Sequence, residues 1–483
     1  HNGLNDLIVK LKGSLFELPG GKVKAAFGGE RSKVFNWNEN TSVAGRNNVR
    51  TVITDKGNSY YDRTITSAFG ELYLPLISDD MNIPLVDSFV VSGAVRYDKY
   101  SDAGESTNPK LGFTWEVSDF LSFAGTWGTS FRSPSITDKN PSAYVSGFIT
   151  PFPVDFNNQD PRISNILCFG PGTCFTQVGV LLGSNPDLKP ERSTNWSLSA
   201  QLKPGAGFKA GVTYYNIDYK DRLVFPNVLA EFPLGPTPGS NPLSYRGYES
   251  YVIPINNPAS CVNTNIASPD PTLQPYLSTP IYSAGSGVGQ LGGFADFCSI
   301  RALIDSRFTN LSRTKTDGLD VNVAWDGEVG DVRINAAAAV NVILNYDEQV
   351  KPDVAPTSRL GFLGTPVKWR GRGNLGVNWR GASATLFANY TGPFINDQAR
   401  SAPLGSIAPN QKVPSYTTFD LNLGYGTNFE GRRSPISTLR YSVTIQNLFN
   451  DYPPRVYQAE RVIADVHGVP YGRTVAFQIT AGF

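Results

Sequence analysis

Few residues of this 483-residue chain have types and spacing that could do chemistry: four cysteines, two histidines and one string of spaced glycines. The cysteines fall in two local pairs, Cys168 with Cys174 and Cys261 with Cys298. Neither spacing is a CxxC zinc or redox motif, and two histidines are too few to help bind a metal. The pairs read as two disulfides inside long loops, which implies an oxidising compartment. His467 sits in the last long loop; a catalytic histidine would need a nucleophile or acid partner nearby, and ordinary solvent exposure is the reading here. Gly287-Val288-Gly289-Gln290-Leu291-Gly292 formally matches GxGxxG, but no strand–helix unit surrounds it, so it reads as a flexible loop. An outer-membrane protease or phospholipase barrel would be smaller, and no Ser/His or Asp/His spacing stands out. The chain reads as a non-enzyme, with no catalytic residue, metal or cofactor expected.

The elements that position these residues follow from composition and periodicity. Charged residues make up 17% of the chain, below the roughly 25% of globular domains. Aromatics reach 12%, and 47 glycines with 35 prolines are spread as many turns would require. No stretch approaches the roughly 20 apolar residues of a transmembrane helix, so a spanning protein of this composition must be a barrel. The net charge of +1 carries no basic tract for nucleic acid and no acidic tail.

Period-two alternation recurs in segments of about ten to fourteen residues. Tyr471, Val475, Phe477, Ile479, Ala481 and Phe483 share one face of the last strand. Leu439, Tyr441, Val443 and Ile445 do so before it, as do Phe419, Leu421, Leu423 and Tyr425, and Trp196, Leu198, Ala200 and Leu202. Val367, Trp369, Leu375, Val377 and Trp379 oppose Lys368, Arg370, Arg372, Asn374 and Asn378. At about 3.3 Å per residue and roughly 45° of tilt, the two tryptophans stand about 23 Å apart along a membrane normal. That is close to the roughly 25 Å apolar band of outer-membrane barrels. Three cations on the opposite face suit a wet lumen and not a packed core.

Arg96, Asp98, Arg132, Lys368, Arg370, Arg372, Asp420 and Arg440 are accordingly expected to face the lumen, where they could hold a plug, guide an anionic ligand, or simply meet water. Short turns such as Leu18-Pro19-Gly20-Gly21, Pro204-Gly205-Ala206-Gly207 and Arg380-Gly381-Ala382 alternate with long stretches near 37–60, 133–190, 221–310, 396–412 and 450–469. Loop lengths segregated between two rims are a mark of bacterial outer-membrane barrels, with the long loops extracellular. The loop aromatics Tyr144, Phe148, Phe152, Tyr245 and Tyr251 could stack on a ligand there or pack the loops. About fifteen strands are legible, the first at 4–17 and the second at 21–36. An antiparallel barrel closes with an even number, so strands before His1 are expected to be missing.

Local motifs resemble one family, the TonB-dependent receptors. Asn185-Pro186-Asp187-Leu188-Lys189-Pro190-Glu191 is similar to that family's NP-x-LKPE segment. Phe131-Arg132-Ser133-Pro134-Ser135 resembles its FR-x-PS motif, Gln446-Asn447-Leu448-Phe449-Asn450 its NLFN, and the terminal Phe483 its assembly signal. Ala481 departs from the aromatic often found near that signal.

The resemblance spans most of the chain. It implies an all-β, transmembrane antiparallel barrel of 22 strands, of which about fifteen lie here, as the C-terminal part of the barrel. The plug, the TonB box and about seven strands would be on a second polypeptide or lost. It further implies outer-membrane lipid around the wall, TonB with its inner-membrane energising complex as partner, and active uptake of a small-molecule or oligomeric nutrient. Ferric siderophore is the default by family frequency; glycans, cobalamin, haem and peptides are compatible. A passive porin and a binding-only surface receptor are the alternatives.

Overall fold

The computed structural model describes the chain apart from residues 1, 39–40, 47–48, 55–58, 140–145, 155–166, 169–173, 225–250, 263–264, 266, 277–279, 284–286, 291–296, 350–351, 353–354, 398–410, 429–436, 459–460, 465–470 and 483. In several loop strands, among them Thr41–Arg46, Val49–Thr54, Ser146–Val154, Pro280–Ser283 and Gly287–Gln290, only the backbone path is described.

Fifteen strands form one antiparallel sheet, each bonded to the next in chain order. They are β1 (Asn2–Leu18), β2 (Gly21–Asn38), β3 (Ser59–Ile77), β4 (Ser88–Tyr100), β5 (Gly104–Ser118), β6 (Leu121–Arg132), β7 (Glu191–Gly205) and β8 (Phe208–Val224). There follow β9 (Thr309–Val329), β10 (Val332–Gln349), β11 (Trp369–Trp379), β12 (Ala382–Thr391), β13 (Tyr416–Asn428), β14 (Thr438–Gln446) and β15 (Thr474–Gly482). A two-residue strand, Thr357–Ser358, adds to β10. Among the described strands β1 bonds only to β2 and β15 only to β14, so the wall is open. Both edges run in the same sense and cannot close antiparallel on each other.

Register turns the alternation of each strand into continuous rungs. Leu375, Leu386, Leu421, Ile445 and Val475 stand side by side across β11 to β15. A parallel rung of Trp379, Ala382, Tyr425, Tyr441 and Ile479 lies nearer the short turns. Phe89, Trp115 and Phe123 repeat the aromatic rung across β4 to β6. These side chains are not covered by protein: Leu198 is 50% exposed, Leu375 52%, Trp379 52% and Phe477 63%. Half exposed to water, each would forfeit about half of the roughly 1.5–3 kcal/mol that full burial of such a side chain contributes. Hydrocarbon flanked by an aromatic girdle removes that cost, and this face is the lipid face of a membrane barrel.

Two positions leave the expected pattern. Val367 does not share the face of Trp369, because β11 begins at Trp369 and Val367 turns into a cluster with Leu363, Phe394, Val413 and Val456 under the loops. Tyr471 precedes β15 and belongs to the loop before it. The terminal Phe483 lies outside the described residues.

One rim carries tight turns. Between β7 and β8, Gly205, Ala206 and Gly207 all have positive φ. A Cβ on Gly207 would meet the Asp326 carbonyl oxygen at 1.7 Å, so the neighbouring hairpin can approach only a glycine there. Residues 78–87 form a longer connection on this rim, and 101–103 is a short one on the other.

The long connections carry structure of their own. Thr41–Arg46 and Val49–Thr54 pair as a hairpin. The stretches after β6 and after β8 join into a second, seven-stranded sheet, in which Cys174–Gly183 and Ile300–Arg307 run parallel. Beneath it Ile255, Leu273, Phe297, Ile300 and Leu303 form a buried core against which the Cys261–Cys298 disulfide packs. Backbone register sets Cys168 opposite Cys174, but the side chains of that expected pair lie outside the described residues. Gly287–Gln290 is not a loose loop: it pairs with Pro280–Ser283 as a hairpin of this sheet.

Candidate functional site

The mouth of the wall is tied together by the motif residues. Arg132, at the end of β6, stands opposite Glu191, at the start of β7, with Nη1 to Oε2 at 3.2 Å. Glu191 Oε1 accepts the Leu223 N–H at 2.8 Å, which fixes the end of β8 as well. Asn185 donates its backbone N–H to the Asp138 carbonyl and its side-chain amide to the Phe308 carbonyl at 2.9 Å. Asn310 exchanges bonds with the Lys189 N–H and carbonyl and donates to the Asp221 carbonyl. The segment 185–191 is thus a latch joining the exits of β6, β8 and the entry of β9.

A short helix, α1 (Ile136–Lys139), sits against this latch. Lys139 Nζ donates to the Leu188 carbonyl at 2.6 Å, and burial pushes its ammonium below the usual lysine value. Arg63 binds Asp102 through both Nε and Nη2 at 2.7 Å and donates Nη1 to the Pro134 carbonyl. At the far side, Asn447 and Asn450 of the third motif adopt positive φ, and the Asn447 N–H donates to Asp420 at 2.9 Å. Phe449 meets Phe419 edge-on at 5.4 Å.

The expected lumen residues fall into separate groups. Arg96 and Asp98 are together: Arg96 Nε reaches Asp98 at 2.8 Å and Nη2 reaches Glu30 at 2.9 Å. Ser67 adds a bond to each of Arg96 and Asp98, leaving Asp98 3% exposed and the group satisfied. Arg132 belongs to the latch. Arg440 lies far from both, in a groove of about 720 Å³ near the short turns, with Glu328, Arg333 and Arg380.

Arg370 and Arg372 enter from the long-loop rim on β11, and Lys368 immediately precedes that strand. Arg370, Arg372 and Asp420 line one groove of about 680 Å³. Register places Asp320, Asn341, Arg370 and Thr391 in one rung, and Asn322, Ala339, Arg372, Asn389 and Thr418 in the next. Gln446, Asn447 and Thr474 complete its wall.

Of the loop aromatics, Tyr144 and Tyr245 lie outside the described residues, as does His467. Phe148 and Phe152 fall in the strand Ser146–Val154, whose side chains are likewise not described. Tyr251 is half-buried beside Val252–Pro254.

A second groove, of about 1010 Å³, was not singled out by sequence. Lys10, Lys12, Lys24 and Lys110 line it with Glu71, and Lys10 and Lys24 lie over the rings of Phe69 and Tyr73 at 5.7 Å. Lysines at alternate positions of β1 were a visible signal, but that Lys24 and Lys110 join them depends on register across β1 to β5.

No group of three or more His, Cys, Asp or Glu residues that could hold a metal occurs among the described residues.

A family model described as "TonB dependent receptor-like, beta-barrel" matches residues 5–448. "Heme/hemopexin utilization protein C" of Haemophilus influenzae is 29% identical over 159 residues, covering 29% of this chain and 19% of that protein. The "Ferrienterobactin receptor" of Escherichia coli is 25% identical over 142 residues, covering 29% and 16%. Among solved structures, the siderophore receptor PirA from Acinetobacter baumannii overlies all of this chain with a TM-score of 0.58 and 16% identity. The chain spans 55% of the length of that structure. The ferric enterobactin receptor PfeA from Pseudomonas aeruginosa, in complex with enterobactin, gives 0.55 at 16% identity and the same coverage.

Proposed function

The chain belongs to the TonB-dependent receptor β-barrel family, and from that membership we propose that it forms the greater part of the wall of a receptor for a ferric siderophore. The wall sits in the bacterial outer membrane. In this reading the polar face is the lumen, the long loops are extracellular, and capture takes place at the mouth. A plug domain and further strands complete the barrel, and TonB with its inner-membrane complex supplies the pull that opens a path. The cargo is carried unchanged, so binding groups and no catalytic ones are required.

The observation that carries the proposal is the two-faced sheet: uncovered apolar rungs with an aromatic girdle on one side, charged and amide rungs on the other. The ferrienterobactin and siderophore receptors among the similar proteins point to iron as the cargo's metal. The described strands of the two longest loops share one sheet, and the second of these loops carries a buried core of its own.

The test is uptake of radioactive iron, presented as siderophore complexes, by iron-starved cells that produce the whole receptor. Uptake should cease when TonB is deleted or the proton gradient is collapsed. Unchanged uptake without TonB would make the barrel a passive porin, and binding without entry would make it a surface receptor alone.

A further inference from the structure

Residues 78–87 join β3 to β4 on the short-turn rim, the periplasmic one in bacterial outer-membrane barrels. The loop straddles that rim. At its roots, Ser78, Asp79 and Asp87 line a groove of about 490 Å³ with Ser88, Glu116 and Lys203. Ser88 donates to Glu116 at 2.7 Å, and the Asp87 N–H donates to the Glu116 carbonyl at 2.8 Å. The middle of the loop lies on the other side of the wall. There the Leu85 carbonyl accepts the Trp115 indole N–H at 3.0 Å. Trp115 stands in the aromatic rung of the lipid face, between Phe89 and Phe123.

The tip itself is a turn of Ile83, Pro84, Leu85 and Val86, closed by the Val86 N–H on the Ile83 carbonyl at 3.1 Å. Pro84 sets the first corner, and Leu85 takes the second with φ of 64°. Glycine or asparagine ordinarily fills that second place. Seven non-glycine residues have positive φ among the described residues, and Leu85 alone of them carries a branched apolar side chain. It is also 73% exposed, with Met81 and Ile83 exposed beside it in the chain. Glycine would relax this backbone, and asparagine would also meet water. Leucine does neither. A leucine held in a strained turn and largely uncovered by protein is stable only in an apolar medium. The girdle residue bonded to its carbonyl marks the level where that medium begins.

We propose that the Pro84–Leu85 tip is a membrane anchor, set into the headgroup–acyl boundary of the periplasmic leaflet. Its partner is phospholipid, because the tip continues the lipid face through Trp115. A plug or a cargo would meet the polar face, across the wall from Leu85. Anchored in this way, the tip holds the roots of its loop, Asp79 and Asp87, at the inner rim of the barrel. The inference is independent of which cargo is carried.

The experiment places a nitroxide at Leu85→Cys, and separately at Asp80→Cys of the same loop, in the whole receptor folded into dioleoylphosphatidylcholine vesicles. The unsubstituted receptor, treated with the same label, sets the background. Saturation by oxygen, which concentrates in lipid, is compared with saturation by a water-soluble nickel chelate. We expect oxygen to reach the label at 85 several-fold better than the chelate does, with the order reversed at 80. Chelate access as high at 85 as at 80 would put the tip in water and overturn the inference. Protection from both reagents would put it against protein, a periplasmic partner or a second copy of the chain, and would overturn it too. Urea titration in the same vesicles supplies a second reading that needs no label. Leu85→Asn, which suits the backbone, should lower the folding equilibrium constant about tenfold, and Leu85→Met should restore most of it. An asparagine variant as stable as the native receptor would overturn the anchor by itself.

Discussion

Arg132 and Glu191 face each other across β6 and β7, Nη1 to Oε2 3.2 Å, with a long loop between them in the chain. They are unequal partners. The Glu191 side chain is 3% exposed and the Arg132 side chain 66%, and Oε2 has no hydrogen-bond partner. Glu191 is held by the Leu223 N–H through its other oxygen. The two family motifs therefore meet in a latch whose strength lies in the buried carboxylate and its amide donor.

Glu191→Ala should destabilise the mouth by about 1–3 kcal/mol, because a buried amide donor loses its acceptor. Arg132→Ala, acting on a screened and exposed cation, should cost under about 1 kcal/mol. Hydrogen exchange at 185–191 and 221–224 measures both. Equal loosening by the two variants would show that the ion pair, and not the amide contact, holds the latch.

The lipid face can be separated from the polar face by one residue on β11. Leu375→Arg should lower the free energy of folding into bilayers by about 2–4 kcal/mol, since Leu375 lies between the two tryptophans of the strand. Asn374→Arg, one position away and on the other face, should change it by under about 0.5 kcal/mol. Urea titrations of the receptor in phospholipid vesicles give both values; a reversed order would invert the wall.

Cys261 and Cys298 close a loop with a sequence separation of 37. Chain entropy assigns such a closure about 4 kcal/mol of loop ordering. Replacing both by serine should speed proteolysis within 251–300, while the electrophoretic heat-modifiability of the barrel is unchanged. A variant with an untouched digestion pattern would mean that the core around Phe297 orders the loop unaided.

Asp270 gives the same loop a pH dependence. Burial acts to raise its pKa, but the Thr272 and Asn256 N–H groups, at 2.7 and 2.9 Å, outweigh it and hold the carboxyl below the 3.8 of an ordinary aspartate. With the folded value depressed, the stabilisation is present above the ordinary value and is lost as pH falls through the folded one. Proteolysis of the loop should therefore accelerate only below about pH 4. Asp270→Asn should bring the fast pattern to neutral pH. Rates that fall on acidification would contradict the assignment.

The sequence by itself determined the strands and their two faces. Alternation is a local property, and Leu375, Val377 and Trp379 declare a face without help from distant residues. It also marked the short turns, where Gly205 and Gly381 are forced by backbone geometry. What the motifs do was decided only in three dimensions. Phe131 to Ser135 and Asn185 to Glu191 are two unrelated strings until β6 and β7 pair, and only then does Arg132 meet Glu191. The same holds for the grooves. Lys10 and Lys110, or Arg372 and Asp420, become neighbours through a register that accumulates across several hairpins, and no local pattern carries it. Loop structure was least legible, since the parallel pairing of Cys174–Gly183 with Ile300–Arg307 joins segments brought close only by the strands beneath them.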